Sequence, residues 1–276
     1  MLWRLGLKEL RHRLLWRDVI VEFMGTLFYI AGHTALGVTP KGRTDFHLFM
    51  VGMATALLLF VLVDSMLHLS GGFVNPIVPF SLMLSGEMST VRALALSIAE
   101  ILGSVCGSAF VYGLTPGDWR SSIGPLVLST EVEQWRGFLL EAEQTLVLMM
   151  VAWGVLEAST MKRNGVISPG LAIGSTVGLN IMIFGRYTGG CMNPCIVFGP
   201  AVISNIWKDH WVYWTSSYTG AAVSVILYKV VYRRLLSPQS SEQQELSEEA
   251  KRIELTNNDG DIRMNLLQEQ NAQNKH

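Results

Sequence analysis

One short pattern occurs twice in this chain, at residues 70–80 and 188–198. Each copy contains a hydroxyl residue, two glycines, two apolar residues, an Asn-Pro pair and mostly apolar residues up to a phenylalanine. The two asparagines, Asn75 and Asn193, are 118 positions apart, and Glu22 and Glu141 repeat inside apolar runs at nearly the same offset. Two matches at one offset indicate an internal duplication, so the fold should consist of two related halves.

Charged residues are scarce and unevenly distributed. They make up 16% of the 276 residues, against roughly 25% in soluble domains, and half of the chain is hydrophobic. The apolar runs are near 20 residues long, enough to cross a hydrocarbon core about 30 Å thick. We therefore predict an all-α membrane protein with six transmembrane helices, at residues 18–37, 47–69, 91–114, 135–158, 166–185 and 211–232.

Two of the links between these spans differ from ordinary loops. Residues 70–89 and 187–209 contain the doubled pattern, are interrupted by Gly and Pro, and are too short and too broken to span a membrane. Non-helical backbone at membrane depth is tolerated only inside protein or beside a water-filled cavity. With three spans in each half, the halves are inverted, so we predict two re-entrant half-helices whose Asn-Pro pairs lie near a common midplane.

The ends of the chain are polar or basic. Residues 1–17 form a basic segment, which is either a cytoplasmic flank of the first span or an amphipathic segment on the membrane surface. The membrane domain covers 18–232, with repeats at about 18–115 and 135–232, and the polar tail 233–276 is predicted to be mostly disordered. The distribution of basic residues favours both termini in the cytoplasm. The expected location is the plasma membrane, with an intracellular membrane as the alternative.

The Asn-Pro pairs suggest a specific chemistry. Asn is a good helix N-cap, and Pro is preferred at the first helical position, so each copy should start a half-helix at its asparagine. Half-helices entering from opposite faces would bring their positive dipole ends together. The amides of Asn75 and Asn193 could then donate hydrogen bonds to a polar neutral molecule, whereas a cation would be repelled. The alternative is that each pair only caps a buried helix.

These motifs resemble those of the aquaporin (major intrinsic protein) family over residues 18–232. Residues 188–194 and 210–214 are most similar to the aquaporin-8 and plant tonoplast-intrinsic branches. The resemblance implies six tilted helices, two half-helices, a pore in each protomer and a homotetramer in a lipid bilayer. The sequence has no nucleotide-binding loop and no cluster of metal ligands, so we expect no enzyme activity, cofactor, metal or nucleic-acid partner.

The chain departs from the family pattern at the pore. The family usually has Ala after each Asn-Pro, but here Ile77 follows Pro76 and Cys195 follows Pro194. The family also has Arg three positions after the second Asn, where this chain has Ile196. The resemblance places the selectivity filter at Thr55, Ile181, Gly190 and Ile196. Because this ring lacks a cation, we expect water and small neutral solutes to pass, such as glycerol, urea, hydrogen peroxide or ammonia.

Several other residues have two readings each. An intramembrane carboxylate is a functional candidate, so Glu22 and Glu141 are either proton relays or, as the resemblance implies, supports for the loop backbone. His68 is a candidate gate or a hydrogen-bonded structural histidine. Cys191 and Cys195 either face the lumen or are buried as small apolar residues.

Two alternative functions remain open at this point. In the first, the pore is occluded by isoleucines and the protein has a structural or membrane-contact role; these isoleucines are Ile77, Ile181 and Ile196. In the second, additional acids inside the spans form a gated ion pathway; these acids are Asp64, Glu100 and Glu143.

Overall fold

The computed structural model describes residues 5–38, 45–160 and 168–233. These residues form helices and no β-strand, in agreement with the predicted fold class. The α-helices are α1 (Arg13–Gly37), α2 (Asp45–Met66), α3 (Ile77–Ser85), α4 (Thr90–Leu114), α5 (Gln134–Thr160), α6 (Pro169–Phe184), α7 (Pro194–Ser204) and α8 (His210–Leu227).

The chain divides into two units, Met1–Ile226 and Leu227–His276. In the second unit, the described residues include a π-helical stretch at Tyr228–Arg233. The predicted disordered tail therefore lies outside the described residues from position 234 onward.

The long helices coincide with the predicted spans, and the short helices α3 and α7 lie in the predicted re-entrant links. By length and composition, α1, α2, α4 and α5 can each cross a membrane. Helix α6 has 16 residues, and α8 contains several hydroxyl side chains. Helix α1 begins at Arg13, before the predicted start at 18, because the ring of His12 accepts a hydrogen bond from the Leu14 amide and caps the added turn.

Glycines allow the long helices to approach closely. A Cβ atom on Gly103 of α4 would lie 2.5 Å from the carbonyl oxygen of Phe23 in α1, and one on Gly107 would lie 2.4 Å from that of Leu27. Small residues are used in this way where helices pack inside membranes. Three glycines of α6 lie equally close to main-chain carbonyls of α2: Gly170, Gly174 and Gly178.

The two re-entrant links have the same backbone conformation. Val74 has a φ of 45° and Met192 a φ of 50°, both in the left-handed region that non-glycine residues rarely adopt. The double glycines before them also have positive φ: Gly71, Gly72, Gly189 and Gly190. The duplication read from the sequence is therefore also a duplication of local structure.

Candidate pore

Glu22 of α1 holds the first re-entrant loop. Its buried carboxylate accepts hydrogen bonds from the hydroxyl of Ser70 at 2.6 Å and from the amides of Phe73 and Val74 at 3.0 and 2.9 Å. Because the loop backbone turns through left-handed torsions, these amides have no regular helical partner. The carboxylate supplies the acceptors that water cannot supply at this depth.

Glu141 of α5 holds the second loop in a matching position. Its Oε1 and Oε2 atoms accept from the Cys191 amide at 3.0 and 3.1 Å, and Oε2 also accepts from the Met192 amide at 3.0 Å. The side chain of Glu141 is fully buried. Each half therefore places one carboxylate against the two residues that precede its Asn-Pro pair.

The asparagines of the two loops bind each other's backbone. The side-chain amide of Asn75 donates to the Met192 carbonyl at 3.0 Å, and the side-chain amide of Asn193 donates to the Val74 carbonyl at 2.9 Å. Each amide nitrogen carries two hydrogens, and this contact uses one of them. Both side chains line one cavity, so the second hydrogen of each is available to a molecule there.

The half-helices begin where the pattern predicts. Asn193 is the N-cap of α7, and its Oδ1 atom accepts from the Cys195 amide at 3.0 Å. In the first copy, the helix proper begins at Ile77, whose amide donates to Oδ1 of Asn75 at 3.3 Å. Both helices thus direct their N-terminal ends toward the paired asparagines, where the helix dipoles are positive.

A cavity of about 480 Å³ opens beside the asparagines, on the side of the molecule where α1 begins. We call it the wide cavity. Its walls are mostly apolar and include Leu59, Val63 and Trp153. Asn75 and Asn193 are only 6% and 4% exposed, so their amides supply hydrogen-bonding groups within an otherwise apolar chamber.

A second cavity, of about 60 Å³, lies on the opposite side and is called here the narrow cavity. Its polar lining includes His33 and Thr34 at the end of α1 and His47 of α2. The side chains of Ile181 and Ile196 also line it, and they are 1% and 2% exposed. The two cavities share no lining residue.

Of the four residues predicted to form the filter, Ile181 and Ile196 line the narrow cavity, whereas Thr55 and Gly190 line neither cavity. On α2, Val51 lines the narrow cavity and Leu59 lines the wide one, and Thr55 lies one turn from each on the same helix face. Gly190 adjoins Ile181, because a Cβ atom at Gly190 would lie 2.9 Å from the Ile181 Cα atom. Among the described residues, Thr55 Oγ1 is buried without a hydrogen-bond partner.

The three acids considered for an ion pathway, Asp64, Glu100 and Glu143, lie outside the lining of both cavities. Oε1 of Glu100 accepts from the backbone N–H of Asn75 at 3.3 Å, and Asp64 caps α6 by accepting from the Ser168 hydroxyl and, at 2.8 Å, from the backbone N–H of Gly170. Glu143 is exposed on the outside of α5. None of these acids lines the wide or the narrow cavity.

The structure also gives the positions of the candidate gate, His68, and of the two cysteines of the second loop. His68 is exposed just after α2 and lines neither cavity. Cys191 and Cys195 are both buried; Cys191 lines the wide cavity, and its Sγ atom donates to the Asn193 carbonyl at 3.1 Å. Cys195 lines neither cavity.

Sequence reasoning missed a group of neutral residues that hold the second loop. The hydroxyl of Tyr213 donates to the Thr188 carbonyl at 2.8 Å. The amide of Asn180 donates to the sulfur of Met192 at 3.0 Å and to the Gln144 carbonyl at 3.2 Å. Polar side chains inside apolar spans were the available signal, because such groups need a partner at membrane depth.

Comparison with known proteins identifies the family. The family model for major intrinsic protein matches residues 9–228 of this chain. The chain belongs to the major intrinsic protein family. It is 33% identical over 230 residues to probable aquaporin TIP1-2 of Oryza sativa subsp. japonica, a match that covers 81% of this chain and 90% of that protein.

Two further matches describe the breadth of the similarity. The lens fiber major intrinsic protein of Ovis aries is 33% identical over 232 residues, covering 83% of this chain and 86% of that protein. The X-ray structure of the aquaglyceroporin from Plasmodium falciparum matches with a TM-score of 0.65 at 22% identity. That match covers 81% of this chain and 99% of the solved one, and it supports the fold.

The family assignment confirms the resemblance read from the motifs, and the TIP-type relatives agree with the tonoplast-like branch. As a major intrinsic protein with these relatives, the chain is a passive channel for water and small solutes. It is a multi-pass membrane protein of a channel family rather than of an enzyme family.

Proposed function

We propose that the channel conducts water together with small uncharged solutes such as glycerol, urea, hydrogen peroxide or ammonia. Asn75 and Asn193 are the midplane donors, with the backbone of both loops beside them. The filter that selects the solute is the ring named above: Thr55, Ile181, Gly190 and Ile196.

One observation carries this proposal: the amides of Asn75 and Asn193 meet at the end of a wide, mostly apolar cavity. A neutral solute can place a hydroxyl or carbonyl oxygen on these donors and its carbon atoms on the apolar wall. A cation would lose its hydration there and would meet the positive ends of α3 and α7. The arrangement therefore favours uncharged molecules.

The filter determines which uncharged molecules pass. Ile196 stands where the family usually has Arg, so this position has no fixed cation and no strong donor. Its neighbours across the ring, Ile181 and Gly190, are also unable to hydrogen-bond through side chains. Water loses hydrogen bonds at such a ring, whereas a solute with carbon atoms gains contacts, which reduces the advantage of water.

The assembly and its setting belong to the same proposal. Helices α1 and α2 expose large apolar side chains, including Phe28, Phe49 and Leu57, which suit lipid or neighbouring protomers. We infer a homotetramer, as the family implies, with one pore in each subunit. Both termini face the cytoplasm in this proposal, so the wide cavity opens to the cytoplasm of a plasma or intracellular membrane.

The proposal is tested with purified protein in proteoliposomes, by measuring osmotic swelling and labelled glycerol uptake. We expect rapid glycerol uptake by the natural chain and a reduction of about tenfold in Ile196→Arg, equivalent to roughly 1.4 kcal/mol of added barrier. Ile196→Val is the matched control, because it keeps the ring apolar and should keep glycerol flux. Equal glycerol flux in all three proteins would remove Ile196 from the filter.

The occluded pore is the second candidate, and a specific observation favours it. Ile181 and Ile196 are almost fully buried, and they line the narrow cavity, which shares no lining residue with the wide cavity. This candidate predicts that well-folded natural protein conducts neither water nor glycerol, while an Ile181→Ala, Ile196→Ala double variant conducts both. That result would contradict the open pore and support a structural or membrane-contact role.

A further inference from the structure

The segment before α1 is held in a defined position. It forms a short 3-10 helix at Leu7–Arg11, and the Leu5 carbonyl accepts a hydrogen bond from the Val91 amide of α4 at 3.1 Å. The indole of Trp16 donates to the Leu10 carbonyl at 2.9 Å, which ties the segment to the first turn of α1. An unattached cytoplasmic flank would not need these contacts.

This segment nevertheless leaves large apolar side chains uncovered. Leu7 is 62% exposed and Trp16 is 51% exposed. The exposed apolar surface continues along α1 to Ile20, which faces outward from the helix bundle. We call the exposed apolar residues of this end the N-terminal patch: Leu5, Leu7, Leu10, Leu14 and Trp16.

The basic residues around the patch fall into two groups. Arg17 and Arg92 pair with the buried carboxylate of Asp18, and Arg17 also donates to the Leu69 carbonyl at 2.6 Å, so these two have structural partners. Three others are exposed and have no ion pair among the described residues: Lys8, Arg11 and Arg13. The patch is thus an apolar surface bordered by three basic side chains that form no ion pair among the described residues.

We propose that the N-terminal patch lies in the membrane interface and that Lys8, Arg11 and Arg13 bind the headgroups of anionic phospholipids. An amphipathic segment of this kind places its apolar side chains at the boundary of the acyl chains and its cations among the phosphates. Trp16 suits the same depth, because tryptophan is enriched at membrane interfaces. Continuity with the outward face of α1 favours lipid over a soluble partner protein.

The test uses the full chain in neutral detergent, mixed with equal amounts of phosphatidylglycerol and phosphatidylcholine that carry the same acyl chains. Native mass spectrometry counts the lipids retained by each protomer. The natural chain should retain phosphatidylglycerol preferentially, and retention should fall as ammonium acetate is increased, because salt screens exposed charges. In the triple variant Lys8→Gln, Arg11→Gln, Arg13→Gln, the affinity for phosphatidylglycerol should fall by about a hundredfold, since each of the three cations contributes about fivefold.

A second triple variant controls for net charge. It removes three basic side chains from the opposite end of the helices: Arg120→Gln, Arg136→Gln and Lys208→Gln. This control should retain phosphatidylglycerol as the natural chain does, and so should Arg11→Lys, Arg13→Lys, which keeps the charge of the segment. Equal losses in both triple variants, or no loss in the first, would overturn the proposal.

Two further outcomes identify a different occupant. If glycerol phosphate at the same concentration as the lipid displaces the bound phosphatidylglycerol completely, the acyl chains contribute nothing to binding, the segment binds a free phosphate group and not a lipid, and the proposal is wrong. If the first triple variant changes the number of protomers in the complex instead of the lipid count, the patch is a contact between copies of this chain, and the proposal is again wrong.

Discussion

The first and second re-entrant loops have nearly the same backbone but are held by different side chains. In both, a double glycine with positive φ leads to a left-handed residue, Val74 or Met192, whose amide donates to a glutamate. These features specify the shared conformation: the glycines permit it, and the glutamate accepts the amides that it leaves unpaired.

Beyond the shared features, the two loops differ in charge. The first loop contacts a second acid, since Glu100 accepts from the backbone N–H of Asn75. The second loop is held instead by neutral groups, among them Asn180 and Tyr213. The comparison shows that one glutamate in each half is tied to the backbone conformation, whereas the surrounding side chains can be of quite different chemical types.

The largest effect should follow from removing either shared glutamate. Glu22→Leu and Glu141→Leu each leave two loop amides without acceptors, at about 1–3 kcal/mol for each amide that is buried. We expect a marked fall in the thermal unfolding temperature of the purified protein in detergent. Glu143→Leu is the matched control, because this glutamate is exposed two residues along α5 and should change stability little.

Replacing the same glutamates by glutamine should change the stability of the protein by different amounts in the two halves. In the second loop, Oε2 of Glu141 accepts from both amides and Oε1 accepts from the Cys191 amide alone, so a glutamine oxygen at the Oε2 position still gives each amide an acceptor, although its NH2 group replaces the second acceptor of Cys191. In the first loop, Ser70 and Phe73 donate to Oε1 of Glu22, but Val74 donates to Oε2. Glutamine has a single oxygen, so it loses the hydrogen bonds to one of these two sets of donors.

Glu22→Gln should therefore be the more destabilising of the two glutamine variants, by about 1–3 kcal/mol. Thermal unfolding of both proteins, purified side by side, measures the difference. Equal stabilities would show that the two carboxylates are equivalent, and the reverse order would show that the second loop depends more on its carboxylate; either result would contradict the asymmetry predicted here.

The smallest effect is expected for Glu100→Gln. The glutamine oxygen can accept from the backbone N–H of Asn75, and Oε2 of Glu100 has no hydrogen-bond partner among the described residues that would be lost. A neutral side chain also avoids the desolvation of a buried charge, so stability should remain within about 1 kcal/mol of the natural chain. Unfolding temperature and glycerol flux should both be unchanged, and a large loss of either would mean that the charge is required.

The doubled motif predicted the fold well because its signals are local. Gly-Gly followed two residues later by Asn-Pro indicates a loop and then a helix start, and α7 begins one residue after Asn193 as that pattern requires. Apolar run length likewise predicts the long helices, although it leaves the helical residues before position 18 in the basic flank, because capping by His12 is not visible in hydropathy.

Contacts between distant positions could not be predicted in the same way. The sequence suggests Asp64 as a member of an ion pathway, yet its partners are Ser168 and Gly170, more than 100 positions away. The unequal volumes of the two cavities depend on how all the helices pack, and no single motif carries that information. The filter residues remain a prediction based on family resemblance until flux is measured.

The reciprocal bonds between the asparagines and the opposite loops also have a consequence for biosynthesis. The Asn75 amide binds the carbonyl of Met192, which the ribosome adds 117 residues later. At translation rates of about 5–20 residues per second, the first loop waits on the order of ten seconds for this partner. The first half therefore enters the membrane with its pore-lining end incomplete, and only synthesis of the second half completes it.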